Sequence, residues 1–211
     1  MDIWHAIGDQ LRHPRGVGGR IIGHAMRWAN DQPTRLVVDA LSPGPCDHVL
    51  DIGCGPGHAV ALLARRVPNG RIVGIDRSET MIAQARVATV SLARQGGVEL
   101  MMADFDALPF PPESFDGILA SNVIYFWQDP AVMTARLRTL LRPNGRLAIY
   151  ATAESSMRAW KFAQTDTHRW IDQSMLKATL LAGGFTTDHI DIRQVRLRGG
   201  VDGLIAVANA G

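Results

Sequence analysis

The sequence predicts an α/β fold in which seven strands form one mostly parallel sheet with helices on both faces, preceded by an N-terminal helical cap. Three observations predict it. From about residue 46 onward, short β-branched runs alternate with helical runs, the pattern of successive βαβ units. The glycine-dense segment Gly53-Cys54-Gly55-Pro56-Gly57 falls between the first strand and the first helix of that alternation. The length, 211 residues, suits one compact domain with a small appended cap rather than two full domains.

In chain order, Asp47 to Ile52 reads as the first strand, and the glycine turn leads into a helix that ends near Val67, before Pro68-Asn69-Gly70. Arg71 to Asp76 is the second strand. Ser78 is placed to cap the next helix, whose Met81, Ala85, Ala88 and Leu92 recur at helical spacing and form the face packed on the sheet. Val98 to Ala103 and Ser114 to Ser121 make the third and fourth strands, separated by the turn-rich Leu108-Pro109-Phe110-Pro111-Pro112. Asp129-Pro130 opens a helix with a capping carboxylate and a proline in the first turn, and Pro143-Asn144-Gly145 closes it after Leu141. Arg146 to Thr152 is the fifth strand and Asp172 to Ala182 a helix ended by Gly183-Gly184. Phe185 to Val195 and Leu204 to Ala208 supply the last two strands. Residues 47–211 are read as the domain, residues 1–46 as its helical cap or lid, and residues 153–171 as a substrate-side insertion.

Composition excludes several classes. The 22 Lys and Arg against 20 Asp and Glu leave a formal charge of only +2, so no nucleic-acid partner is expected from charge. The longest run free of Asp, Glu, Lys and Arg, Ile52 to Ala64, is far shorter than the roughly 20 apolar residues of a membrane-spanning helix. The chain is therefore expected to have no integral membrane association. No secretory signal is readable at Met1-Asp2-Ile3-Trp4-His5, so a cytoplasmic protein is expected. Cys46 and Cys54 form neither a CxxC pair nor a His/Cys ladder, and no metal site is expected. The Arg12, His13, Arg15 and Arg20 group, broken by glycines, reads as a solvated segment.

A parallel sheet opens its ligand crevice beyond the carboxyl ends of its strands, which directs attention to the residues that follow each one. After strand one, Gly53, Gly55 and Gly57 allow close backbone approach, and Asp51 sits where a carboxylate can face a ligand ammonium. After strand two, Asp76 is a short acceptor suited to a ribose diol. After strand three, Asp104-Phe105 offers an acceptor for an exocyclic amine beside an apolar surface for a purine. A dinucleotide oxidoreductase is the nearest competitor, because Asp76 follows Gly53 at about the ~20-residue separation of that fold. His58 argues against it, since the dinucleotide fingerprint needs a small residue where His58 stands.

These residues resemble the Rossmann-like class I S-adenosylmethionine-dependent methyltransferases, in the small-molecule branch that includes quinone, sterol and arsenite methyltransferases. The resemblance is carried by Val49-Leu50-Asp51-Ile52-Gly53-Cys54-Gly55-Pro56-Gly57, by Gly74-Ile75-Asp76 with Ser78 and Met81, and by Asp104-Phe105-Asp106-Ala107-Leu108-Pro109-Phe110. Ser114-Phe115-Asp116 and Leu141-Arg142-Pro143-Asn144-Gly145-Arg146-Leu147 complete it, over roughly residues 47–152. The resemblance implies S-adenosylmethionine as cofactor and S-adenosylhomocysteine as product. It implies Gly53, Gly55 and Gly57 along the methionine and ribose, Asp51 toward the ammonium, and Asp76 on both ribose hydroxyls. Met81 and Phe105 would flank the adenine, Asp104 would accept from its amine, Ser121 would offer a carbonyl to the ammonium, and Arg77 would cover the adenine or stand exposed.

Methyl transfer is an in-line displacement, so the protein must mainly align the reacting groups and exclude water. A base is needed only when the nucleophile arrives protonated. Tyr125, His24 and His5 are the candidate acid-base groups. Relatives often carry a histidine near Tyr125 or Phe126, and this chain departs from that pattern. Asn122 does not open the Asn-Pro-Pro-Tyr signature of exocyclic-amine methyltransferases of nucleic acids, and no arsenite-type thiol cluster is present. All five tryptophans lie outside residues 47–121, and Trp4, Trp28 and Trp127, with Asn122 and Tyr125, are the candidate acceptor-binding residues. Trp4, Trp28, Trp160 and Trp170 are equally suited to packing the appended helices onto the domain. The acceptor expected is a small hydrophobic or aromatic molecule, with oxygen, nitrogen, sulfur and carbon nucleophiles all compatible and the chain a monomer or homodimer. The alternatives are a non-catalytic S-adenosylmethionine-binding module and the dinucleotide-dependent oxidoreductase.

Overall fold

The structure, a computed structural model, describes residues 30–93, 97–160, 163 and 169–211. His5, His24, Trp4 and Trp28 lie outside the described residues. Helix α1 (Asp31–Leu41) leads into β1 (His48–Ile52), α2 (His58–Arg66), β2 (Arg71–Asp76), α3 (Glu79–Ala93), β3 (Val98–Met102) and β4 (Phe115–Ser121). Then come α4 (Pro130–Leu140), β5 (Leu141–Thr152), the one-turn α5 (Glu154–Met157), α6 (Gln173–Ala182), β6 (Ile190–Arg196) and β7 (Asp202–Asn209). Short 3-10 turns cover Phe105–Ala107, Ile124–Phe126 and Thr187–His189.

The seven strands form one sheet in the order β3-β2-β1-β4-β5-β7-β6. The pairings from β3 through β5 are parallel, and β7 runs antiparallel to both β5 and β6. Successive strand residues feed opposite faces, as the pleat requires. Leu50, Ile118, Leu147 and Ile149 pack with Leu137 of α4 and Leu176 and Leu180 of α6. Val49, Leu119, Ala148 and Tyr150 pack with Val37, Val38 and Leu41 of α1 and Val60 and Leu63 of α2. The central strands are thus buried on both faces, which explains their near-continuous apolar runs.

The local signals act as expected at several helix starts. Ser78 Oγ accepts from the Met81 N–H at 3.3 Å, and Asp129 Oδ1 accepts from the Ala131 and Val132 amides at 2.9 and 3.1 Å. Asp172 caps α6 by accepting from the Met175 N–H at 2.7 Å. The buried stripe of α3 is Met81, Ile82, Ala85 and Thr89, so the packed face is rotated from the Ala88 and Leu92 side. The fifth strand also differs from its expected start at Arg146. It begins at Leu141, which pairs with Phe115, and resumes at Arg146 opposite Gly117 after a bulge in which Asn144 takes φ 64°. Pro143-Asn144-Gly145 makes a turn within the strand, and pairing with β4 on either side holds the segment in the sheet.

The strand order reverses between β1 and β4, which start their crossovers in opposite directions and leave a crevice between their carboxyl ends. Helix α1 packs on this part of the sheet and brings its amino-terminal end to the same crevice.

Candidate functional site

The crevice is a cavity beyond the ends of β1, β2 and β4. One wall holds Asp51, Gly53, Gly55, Asp76, Arg77 and Met81, with Phe105 beside them, and the other holds Ser121, Asn122, Val123 and Phe126. Eight of the ten residues expected at a cofactor therefore line one space. Cys54, Pro56, His58 and Ala59 line it as well, and α1 contributes Asn30 and Thr34.

Asp51 is the strongest feature. It is 1% exposed, and its Oδ2 has no hydrogen-bond partner among the described residues. Burial, and then the neighbouring Asp76 charge, push its carboxyl up to about 8. Leaving a buried acceptor unpaired is costly, so an atom of this kind at a cavity wall is suited to a ligand donor. Asp76 is held more firmly: Oδ2 accepts from the Gly55 N–H at 2.9 Å and Oδ1 from the Ser78 N–H at 2.8 Å. Burial raises its pKa, against the opposing pull of those amides. Each oxygen retains a further lone pair for a hydroxyl donor.

The glycines divide their roles. At Gly55, φ +50°, a Cβ would meet nothing within 4 Å, so the backbone there faces open space. At Gly57, φ +82°, a Cβ would stand 2.9 Å from Cα and Cβ of Ala85. Gly57 is the N-cap of α2 and lets α2 sit tightly on α3; it does not line the cavity. Asp104 also lies off the lining, where Arg77 Nη2 donates to its Oδ2 at 3.2 Å while the same guanidinium stands 5.7 Å from the Phe105 ring centroid. Arg77 thus bridges the residues that follow β2 and β3.

On the opposite wall, Asn122 takes φ 55°, a left-handed conformation in which Asn is tolerated better than most residues. Its Nδ2 donates to Asn30 Oδ1 at 2.9 Å, and its Oδ1 accepts from Tyr125 Oη at 2.9 Å. The Tyr125 hydroxyl accepts in turn from the Thr152 amide. Tyr125 is buried behind the wall, and burial holds its phenol well above the usual range, which suits a hydrogen-bond donor to Asn122 rather than a base. Trp127, 3% exposed, packs in the core and does not line the cavity. No group of His, Cys, Asp and Glu suited to a metal ion occurs among the described residues. No helix among them is long and apolar enough to cross a membrane.

Residues 50–149 match the family model described as a methyltransferase domain. A trans-aconitate 2-methyltransferase of Azoarcus sp. (strain BH72) is 40% identical over 122 residues, 56% of this chain and 46% of that protein. A nocamycin O-methyltransferase of Saccharothrix syringae is 35% identical over 128 residues, 60% of this chain and 45% of its own. This chain spans half or less of the length of the curated relatives it matches. Among solved structures, the 4+2 cyclase SpnF superposes with a TM-score of 0.72 at 20% identity, over 86% of this chain and 81% of that one, a likeness of fold alone. The switch-point cavity, the glycine turn and the two carboxylates Asp51 and Asp76 are thus built largely from the stretch that matches the methyltransferase domain.

The residues fit S-adenosylmethionine on two counts. The unpartnered, buried Asp51 Oδ2 is placed for an ammonium donor, and the open space at Gly55 is one that a side chain would fill.

Proposed function

We propose that this chain transfers a methyl group from S-adenosylmethionine to a small hydrophobic or aromatic acceptor. The carrying observation is the buried carboxylate of Asp51, unpartnered at a cavity wall made by the glycine turn. When bound, S-adenosylmethionine supplies a methyl on a sulfonium, already activated for in-line displacement.

The chain's own residues then have the work of holding and sheltering. Asp51 accepts from the ammonium, with the Ser121 carbonyl on the same end. Asp76, fixed by the Gly55 and Ser78 amides, accepts from the ribose hydroxyls. Met81 and Phe105 form the apolar flanks of the adenine and Arg77, held by Asp104, covers its edge. Gly53 and Gly55 set the backbone that follows the ligand, and Gly57 seats α2 on α3 behind it. Asn122, locked by Asn30, Tyr125 and Thr152, presents a fixed polar wall toward the acceptor side. Such preorganisation favours reaction by alignment and exclusion of water, with no protein base required for an acceptor that arrives deprotonated.

The reading keeps residues 1–46 as the cap and Trp4, Trp28, His5 and His24 as acceptor-side candidates. Residues 153–171 supply the remaining substrate-side surface. Trp127 and Tyr125 support the acceptor wall from behind. The reading includes a cytoplasmic protein, monomeric or homodimeric, with no nucleic-acid partner. The relatives named as a trans-aconitate methyltransferase and a nocamycin O-methyltransferase support a small-molecule acceptor.

Calorimetric titration with S-adenosylmethionine, S-adenosylhomocysteine, NAD and NADP tests the cofactor. Micromolar binding of the first pair alone, near −8 kcal/mol, is expected, followed by methyl transfer in a screen of aromatic and lipid-like nucleophiles. Absence of binding by both sulfur compounds to folded protein would overturn the proposal. Binding without transfer to any acceptor would favour the non-catalytic module.

A further inference from the structure

Asn30 immediately precedes α1, Thr34 lies one turn along it, and both line the cavity. An asparagine before a helix ordinarily turns its side-chain oxygen onto the free amides of the first turn. Asn30 makes no such bond, and its Oδ1 accepts instead from Asn122 Nδ2 at 2.9 Å, on the wall that also holds Phe126. Next to it, Asp31 Oδ1 lies 3.0 Å from His58 Nε2 at the start of α2. The entry to α1 is thereby fixed to both sides of the cavity.

The hydrogen bonds behind that wall run in one direction. The Thr152 backbone N–H can only donate; it donates to the Tyr125 hydroxyl and lies 3.4 Å from Asn122 Oδ1. The Tyr125 hydroxyl, having accepted, passes its own hydrogen to Asn122 Oδ1 at 2.9 Å. Turning the Asn122 amide over would set its N–H groups against the Thr152 N–H, so Oδ1 faces Thr152 and Nδ2 faces Asn30. Asn30 must then give its oxygen to Asn122. Its Nδ2, with two N–H donors and no partner among the described residues, is left as the end of the chain at the cavity. Thr34, 4% exposed in the same lining, has a hydroxyl that likewise bonds to none of the described residues. Two donors four residues apart, on one face of the helix start, therefore share the cavity with the apolar Phe126.

A donor withdrawn from water is costly to leave unpaired, and a ligand oxygen removes the cost. Both groups suit an oxygen that carries lone pairs and no hydrogen. We infer that Asn30 and Thr34 bind a carbonyl or carboxylate oxygen of the methyl acceptor, whose carbon frame packs on Phe126. The inference rests on the reading of the cavity as a methyl-transfer site and specifies the acceptor within it, a molecule whose recognised oxygen arrives without a hydrogen. Asn122, Tyr125 and Thr152 are positioning residues that fix which end of the Asn30 amide meets it.

The test titrates the full chain, saturated with S-adenosylhomocysteine, with three probes of similar shape: ethylbenzene, acetophenone, which has a carbonyl in place of one methylene, and benzoate. Calorimetry should show the better oxygen-bearing probe binding at least about fivefold more tightly than ethylbenzene, the gain of one hydrogen bond. Benzoate ahead marks a carboxylate acceptor, and acetophenone ahead a carbonyl one. Asn30→Asp keeps an oxygen for Asn122 and removes the donor, so it should weaken the favoured oxygen probe by about tenfold, with ethylbenzene and S-adenosylhomocysteine changed by less than about twofold. Thr34→Val should weaken the same probe by a smaller factor, and it carries the test if Asn30→Asp fails to fold. Retained S-adenosylhomocysteine affinity reports that the variants are folded. Equal binding of the three probes, absence of binding by both oxygen probes, or unchanged probe affinity in the variants overturns the inference. Loss of S-adenosylhomocysteine affinity at an unchanged melting temperature would give the pair to the cofactor and overturn it too, while the cofactor reading stands. Failure of the unaltered protein to bind S-adenosylhomocysteine overturns both.

Discussion

Asn122 Nδ2 donates to Asn30 Oδ1 at 2.9 Å, joining the residue after β4 to the residue before α1 across 92 positions of sequence. The bond couples the segment that leads into α1 to the cavity wall. Replacing Asn122 by Ala removes it, takes from the Tyr125 hydroxyl its 2.9 Å acceptor and leaves the Thr152 carbonyl at 3.4 Å, and puts at φ 55° a residue that tolerates the left-handed region less well than Asn. The combined cost is expected to be about 2–3 kcal/mol, from lost buried hydrogen bonds and left-handed strain. Asn122→Gly removes the same bonds without the strain and should be the milder variant by about 1 kcal/mol. Urea unfolding midpoints check the order; Gly as damaging as Ala would remove backbone conformation from the explanation.

Asp76→Ala removes the proposed ribose acceptor and frees the Gly55 and Ser78 amides. S-adenosylhomocysteine affinity should fall by about 1–3 kcal/mol, the cost of unpaired donors. Calorimetry at fixed pH measures it, and an unchanged affinity would remove Asp76 from the ribose contact.

Asp51 has a pKa raised by burial, and next by Asp76, to about 8, against an ordinary value of 3.8. Between those values the unfolded chain has lost a proton that the folded ligand-free protein keeps. Stability from this group is therefore fully present below about pH 4 and is lost as the pH rises toward about 8. Asp51→Asn removes that loss. Its melting temperature should gain on the unaltered protein as pH is raised from 5 to 8, while its S-adenosylmethionine affinity falls. A melting-temperature difference that stays flat with pH would place the carboxylate in a far more polar setting.

Gly55 and Gly57 separate binding from folding. A Cβ at Gly55 meets nothing within 4 Å, so Gly55→Ala should cost only the left-handed strain of about 1–2 kcal/mol. It should weaken S-adenosylhomocysteine by more than that strain alone, because the methyl occupies ligand space. Gly57→Ala meets Ala85 at 2.9 Å and must displace α2 from α3, so stability falls first. Thermal melts alongside calorimetry read the two effects, and a reversed ranking would exchange the roles assigned to the two positions.

The cofactor half of the site was legible because its residues are local to strand ends. Asp51, the glycine turn, Asp76 and Phe105 each follow a strand recognisable from its β-branched run, and the parallel order then brings them together. Asn30, Thr34 and the Asp31 partner of His58 were not legible, because they reach the cavity through the packing of α1, a long-range event with no motif of its own. The available signal was His58 itself, a bulky side chain at a position where the competing fingerprint needs a small one. Trp127 and Tyr125 show the reverse difficulty: aromatic content after a strand does not reveal which side of the wall it packs on. The early start of β5 was hidden because Pro143-Asn144-Gly145 carries a turn signal that pairing with β4 on either side overrides.

Removal of residues 1–29 tests the cap. Asn30, Asp31 and Thr34 remain, and so do Val37, Val38 and Leu41, whose burial ties α1 to the sheet. The shortened chain should therefore fold, melt within a few degrees of the full chain and bind S-adenosylhomocysteine within about threefold, less than ~1 kcal/mol. If the cap closes over the acceptor, methyl transfer should fall far more than binding, because exclusion of water and alignment of the acceptor are lost together. A tenfold or greater loss of kcat/KM for the acceptor identified in the screen, with cofactor affinity retained, is the expected result. Full turnover by the shortened chain would assign the acceptor site to residues 30–211 alone.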